Sequence, residues 1–307
     1  MIYGLKQIAA YGLQWLPAMS IVAGLAIGAA FVRRQRSLAD PLIDLRLFRT
    51  PAFSASLAAY MLATFAVFGP YVFIAQYLQL VLGLSPMQAG LWSMPFALGF
   101  VIGSMLSPLI ARHARPAVVM SAGLVIAAVG FVVLTRIGTV SGLPIIVTST
   151  VVFSLGLSPV FTLANDLIMG AAPPERAGAA SAISETCSEL GGALGIATLG
   201  SIGTAIYRRT MTNALPDGIP SSAAEAARDT LAGALAAAGQ MSEPLGVALI
   251  ATARDAFTHG LRITAMTSAL VVVGIAVLVT VLLRDARTGS ESGEGPEPEA
   301  VPVAERS

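Results

Sequence analysis

An all-α integral membrane protein with about seven spanning helices is the fold class this sequence predicts, on three observations. Of 307 residues, 55% are hydrophobic and 11% charged, against roughly 25% charged in soluble globular proteins. The mean hydropathy is +0.78. The apolar residues are gathered into stretches of about the 20 residues a helix needs to cross a bilayer, joined by short basic or polar segments.

Taken in order, these stretches run over 13–32, 51–81, 86–111, 116–135, 143–170, 178–206 and 260–283. Pro17, Pro51, Pro86, Pro116 and Pro144 fall at or near their starts, where a missing N–H costs little. The stretch 207–259 differs: it holds Pro216, Pro220 and Pro244 among many alanines and reads as short amphipathic helices on the surface. After Arg284 the chain is acidic and rich in Pro, Gly and Ser, the composition of a disordered tail. The expected organisation is therefore 1–49 as one helix and a basic loop, 50–284 as a six-helix bundle carrying 207–259, and 285–307 as the tail.

Composition also excludes function classes. A net charge of +1 gives no basic surface for nucleic acid. One cysteine, Cys187, allows neither an internal disulfide nor a multi-cysteine metal site, and His113 and His259 stand in no ligand spacing. No cofactor is called for. The motifs of an intramembrane protease (paired aspartates in a Gly-x-Gly-Asp setting, a Ser/His dyad, His-Glu-x-x-His) are missing, so the chain reads as no enzyme.

Orientation follows from Lys and Arg in short loops. Arg33, Arg34, Arg36, Arg46, Arg49, Arg112, Arg115, Arg176, Arg284 and Arg287 fall on one side of the seven-span map, and Lys6 and Arg136 on the other. The expected placement is multi-pass in the plasma membrane, N-terminus outside and C-terminus cytoplasmic, with Trp15 and Trp92 toward the outer interface. An odd number of spans with an outside N-terminus, and a start "MIYGLKQIAA" without the pattern of a cleavable signal, suggest a portion of a larger protein.

Three acids lie inside the spans: Asp166, Glu185 and Glu189. A charge at the bilayer centre costs about 2.5–3.5 kcal/mol even on lenient insertion scales. On a helix Ser181, Glu185, Ser188, Glu189, Gly192 and Gly203 share a small, polar stripe, expected to face a wet path where a carboxylate binds and releases a proton. At 1.5 Å per residue Glu189 stands ~16 Å into the span, near the midplane, and Glu185 ~10 Å. Asp166 lies ~6 Å from the end of its helix, within reach of water or of Arg176. The alternative for all three is structural, with hydrogen bonds to neighbouring helices. In the second span Phe68, Tyr71, Gln76 and Gln79 surround Gly69-Pro70. Aromatic faces and amides suit flat hydrophobic cations, and packing against neighbours is the competing reading. Gly191 and Gly195 have the small-xxx-small spacing of close helix contact.

"PLIDLRLFRTPAFSAS" (41–56), "FIAQYLQLVLGLSPMQAGLWSMP" (73–95) and "APPERAGAASAISETCSELGGALGIATLGS" (172–201) resemble the major facilitator superfamily, and within it the fourteen-helix drug:proton antiporter branch. "GSMLSPLIARHARP" (103–116) resembles the second, degenerate copy of the superfamily's cytoplasmic loop motif. The resemblance implies that the first span is the last inserted linker helix and the other six are the C-terminal bundle. It implies proton-coupled efflux of amphipathic, cationic drugs or biocides. Glu189, Glu185 and Asp166 would couple proton to substrate, while Gln76, Gln79, Phe68 and Tyr71 line the cavity. The implied partners are the lipid bilayer, protons, small drug-like substrates and a separate N-terminal transporter half; the alternative is a truncated fragment that transports nothing without that half.

Overall fold

The computed structural model describes residues 15–38, 47–140 and 142–283. The expectations for Lys6, Arg46, Arg284 and Arg287 and for the 285–307 tail lie outside these residues. Among the described residues nine α-helices form: α1 (Trp15–Ser37), α2 (Pro51–Gln76), α3 (Pro86–Ala111), α4 (Pro116–Leu134), α5 (Gly142–Gly170), α6 (Ala177–Ala214), α7 (Ser221–Asp229), α8 (Leu231–Ala238) and α9 (Glu243–Leu282). Six of the described helices are long and apolar enough to span a membrane: α2 with its continuation to Val81, α3, α4, α5, α6 and α9.

Local chemistry sets the helix starts. Pro51, Pro86 and Pro116 each occupy the first position of their helix. Before α3, Gly83 takes φ +71°, a turn conformation that costs glycine no Cβ clash. Ser85 and Gln88 then close a capping box, with the Gln88 N–H donating to Ser85 Oγ at 3.3 Å and the Ser85 N–H to Gln88 Oε1 at 3.0 Å. The residues of "LGLSPMQAG" thus fold the joint between α2 and α3.

The spanning helices stand in two rows. α2 packs against α5, α6 and α9, α5 against α3 and α4, and α9 against α4 and α6. The front row is therefore α3–α5–α2–α6, with α4 and α9 behind it. Ser268 of α9 donates to the Ala66 carbonyl of α2 at 2.8 Å. The buried core runs through Leu124, Phe131, Phe153, Leu157, Leu261 and Val272.

The structure departs from one expectation in part. Of residues 207–259, only Ser221–Asp229 and Leu231–Ala238 form short separate helices. α6 continues eight residues beyond 206, and α9 begins at Glu243, seventeen residues before 260. At 38 and 40 residues these helices are ~57 and ~60 Å long, about twice the ~30 Å hydrocarbon core. α7 and α8 cap the protruding pair. Tyr207 donates to the Ala227 carbonyl at 2.7 Å, Arg208 pairs with Asp229, and Ala227, Leu231 and Ala234 are buried. Alanine, read as surface helix, is here the small residue that lets four helices approach. The extension also brings Arg208, Arg209, Arg228 and Arg254 to the end opposite Arg112, Arg115 and Arg176, beside Asp217, Glu225, Asp229 and Asp255.

Candidate functional site

α2 and α6 form a glycine seam. A Cβ on Gly191 would strike the Met61 carbonyl oxygen, one on Gly195 the Phe65 carbonyl oxygen, and one on Gly69 would stand 2.5 Å from Leu199 Cβ. Each contact advances four residues on both helices, so the two run parallel. The expected small-xxx-small contact is this seam. It fixes how α6 presents its acids.

Along α6, Ser188, Gly191, Gly192, Gly195 and Leu199 point at α2, and Glu189 lies about a quarter-turn away from them at 100° per residue. The proposed polar stripe therefore splits. Ser188 stands 3.5 Å from Thr64 Oγ1 across the seam. Gly192 lies beneath the Phe68 ring and Gly203 against Phe73 and Thr264, both buried. Ser181, Glu185 and Glu189 remain exposed on the open side of the front row. Neither glutamate makes an ion pair or side-chain hydrogen bond with a described residue. Glu185 lies within electrostatic reach of Tyr60, whose hydroxyl stands beside Ser188.

Asp166 is exposed near the C-terminal end of α5 and makes no ion pair with any described residue, Arg176 included. The structure brings Glu185 and Glu189 to one helix edge and leaves Asp166 nearer the basic end, four residues before Gly170.

On α2, Phe68 and Tyr71 are each 42% exposed. Phe68 leans on α6 at Gly192. Tyr71 meets Phe96 of α3 at a centroid distance of 5.8 Å. Gln76 and Gln79 are exposed one to two turns farther on, and Gln79 donates to the Ala75 carbonyl at 3.4 Å. There α2 widens into a π-helical turn over Tyr77–Val81. The buried Tyr77 hydroxyl donates to the Gly138 carbonyl, and Arg262 Nε donates to Ile137 O at 2.7 Å, pinning the joint between α4 and α5.

Four further aromatic residues join the site, and the sequence did not single them out. From Tyr71 the rings run through Phe96 to Phe100 (6.4 Å), Phe161 (5.7 Å) and Tyr60 (5.1 Å). This run crosses α2, α3 and α5 and ends beside Ser188 and Glu185 on α6. Residues on three helices thus make one partly open aromatic surface, with Glu185 of α6 at one end. Among the described residues no His/Cys/Asp/Glu group is arranged to hold a metal.

Residues 7–196 match the Major Facilitator Superfamily. The chain belongs to the major facilitator superfamily. The multidrug efflux pump LfrA of Mycolicibacterium smegmatis is 37% identical over 283 residues, covering 92% of this chain and 56% of that pump. The methyl viologen resistance protein SmvA of Salmonella typhimurium is 26% identical, covering 86% of this chain and 53% of its own. A bacterial homologue of the lysosomal transporter Spinster, in an inward-facing and unoccupied conformation, shares the fold with a TM-score of 0.60 at 19% identity, over 83% of this chain and 52% of that one. The chain spans about half the length of the relatives it matches. Like other members of the superfamily it is a multi-pass membrane protein, and its six-helix bundle with one preceding helix is a superfamily half.

Proposed function

We propose that this bundle supplies the C-terminal half of a proton-coupled exporter of amphipathic, cationic drugs, with Glu189 as the coupling carboxylate and Glu185 assisting. One observation carries the reading: Glu189, ~18 Å along α6 from Ala177 by helical rise, is exposed and makes no pair with a described residue on the open side of the front row, one turn along α6 from Gly192, over which the Phe68 ring lies. An unpaired carboxylate at that depth is costly against lipid and is retained where it meets a water-filled path. A proton and a cationic substrate compete for the same negative charge, so taking up one releases the other. The names of LfrA and SmvA, a multidrug efflux pump and a methyl viologen resistance protein, support drug and cation as the substrate class. In superfamily transporters the substrate site lies between the two halves, and the front row is the face of this half that offers acids and rings.

Asp166 serves in this reading as the exchange point with water at the basic end, and Gln76 and Gln79 line the path at the opposite end. The basic end is cytoplasmic, the N-terminus lies outside, and the membrane is the plasma membrane. A chain without its N-terminal partner half inserts and transports nothing.

The test joins the chain to an N-terminal half, in one polypeptide or as two, and measures dye-induced proton release from everted vesicles at matched expression. Glu189→Gln keeps size and hydrogen bonding and removes the exchangeable charge. It is expected to insert normally and abolish proton-driven export of cationic dyes, with Glu185→Gln reducing it less. Export by Glu189→Gln at the unmodified rate makes the glutamate structural and defeats the assignment.

A further inference from the structure

On the back of the bundle a groove of about 950 Å³ runs between α4 and α9, lined by Arg115, Val118, Ser121 and Val125 on one side and Val277 and Thr280 on the other. The geometry points to this groove as a binding site for one anionic phospholipid, its acyl chain lying along α4 and α9 and its phosphate on Arg115. Three observations commit the site to that occupant.

The groove's polar atoms are already satisfied. Thr280 Oγ1 donates to the Ala276 carbonyl at 2.7 Å and shares a 2.9 Å hydrogen bond with Ser121 Oγ. The Thr280 hydrogen is committed to the carbonyl, so Ser121 is the donor of the shared bond and no hydroxyl hydrogen is left for a ligand. The rest of the floor is Val and Ala, so the occupant there is apolar. The length fits one leaflet. From Arg115 to Val125 α4 rises ~15 Å, half of a ~30 Å hydrocarbon core. The charge sits at one end. Arg115 caps α4 with its backbone carbonyl, which accepts from the Val118 and Val119 N–H groups at 2.9 and 3.2 Å, while its guanidinium makes no ion pair with a described residue. Arg112 lies in the same turn, and no acid lines the groove. A cation at the depth of the headgroups attracts an anionic lipid about fivefold over a neutral one.

Native mass spectrometry of the full chain, purified in detergent and given equal phosphatidylglycerol and phosphatidylethanolamine, tests the site. The expectation is one phosphatidylglycerol retained at about fivefold preference. Arg115→Gln should bring the two lipids to near parity while the groove still holds a chain. Ala122→Phe, which fills the groove and keeps the arginine, should lose the retained lipid. Val129→Phe, exposed on α4 beyond the groove, should bind as the unmodified chain does. Equal retention of both lipids by the unmodified chain, no retained lipid, or a preference untouched by both Arg115→Gln and Ala122→Phe overturns the proposal.

Discussion

Phe68 of α2 lies over Gly192 of α6, its ring carbons 3.5–3.6 Å from the point where a Cβ on residue 192 would stand. That is ordinary contact distance. At Gly195, one turn along, a Cβ would collide with the Phe65 backbone carbonyl, which cannot rotate away as a side chain can. The seam therefore distinguishes two glycines three residues apart. Gly192→Ala gains about 1 kcal/mol of helix propensity and meets no clash, so it should leave stability unchanged or raise it. Gly195→Ala gains the same and loses more, since forced repacking costs about 1–3 kcal/mol. The midpoint of thermal aggregation in detergent should fall for Gly195→Ala alone. Equal midpoints would mean the helices are not locked at this spacing.

Tyr77 and Arg262 pin the joint between α4 and α5 through the carbonyls of Gly138 and Ile137. Tyr77 is fully buried, so Tyr77→Phe leaves the Gly138 carbonyl without its donor. A net hydrogen bond is worth about 0.5–1.5 kcal/mol. Hydrogen–deuterium exchange of amides 135–140 should quicken by roughly two- to tenfold in Tyr77→Phe, and similarly in Arg262→Met. Unchanged exchange would show that the π-helical turn holds the joint without them.

The sequence made the six long spans legible because the hydrocarbon thickness imposes a length on every apolar run, and prolines marked several starts. It misjudged 207–259 because alanine serves equally in an exposed amphipathic helix and in the close packing of four helices; burial of Ala224, Ala227 and Ala234 has no one-dimensional signature. The acids were visible as charges in apolar runs. The stripe drawn through Ser181, Glu185, Ser188, Glu189, Gly192 and Gly203 was not one surface, because a sector of a helical wheel does not say where the neighbouring helix sits. Phe96, Phe100, Phe161 and Tyr60 escaped notice for the same reason: each is an ordinary aromatic residue on its own helix, and their run exists only once three helices are assembled.

Topology gives a third prediction. Gly218 lies in the turn between α6 and α7, at the end of the bundle opposite Arg112, Arg115 and Arg176. A reporter fused after Arg287 should be active only as a cytoplasmic fusion, and one inserted at Gly218 only as an extracytoplasmic one. The arginines at that end of the bundle do not reverse this expectation. Arg208 pairs with Asp229, Arg262 is held on Ile137 O, Arg209 and Arg254 belong to the extended ends of α6 and α9, and Arg228 to the short α7 that caps them, in a long segment where the loop rule acts weakly. Activity of the reverse kind at either position would invert the orientation.

The last prediction concerns the rings. Phe68 is 42% exposed and lies over Gly192, one turn along α6 from Glu189. In the proposed reading, a cationic substrate on its way to the carboxylate crosses the face of that ring or of Tyr71. Cation–π attraction is worth about 0.5–2 kcal/mol, the larger figure when water is excluded, which corresponds to roughly two- to thirtyfold in affinity. Phe68→Leu keeps the apolar volume over Gly192 and removes the ring quadrupole. In a chain completed with its N-terminal half it should raise the half-saturating concentration for quaternary ammonium dyes within that range. Export of an uncharged substrate of similar size should change little. Phe68→Tyr retains the ring face and should export cations as the unmodified protein does, which separates loss of the quadrupole from loss of shape. If Phe68→Leu weakens charged and uncharged substrates equally, the ring acts only as packing against Gly192, and selectivity for cations rests on Glu189 alone.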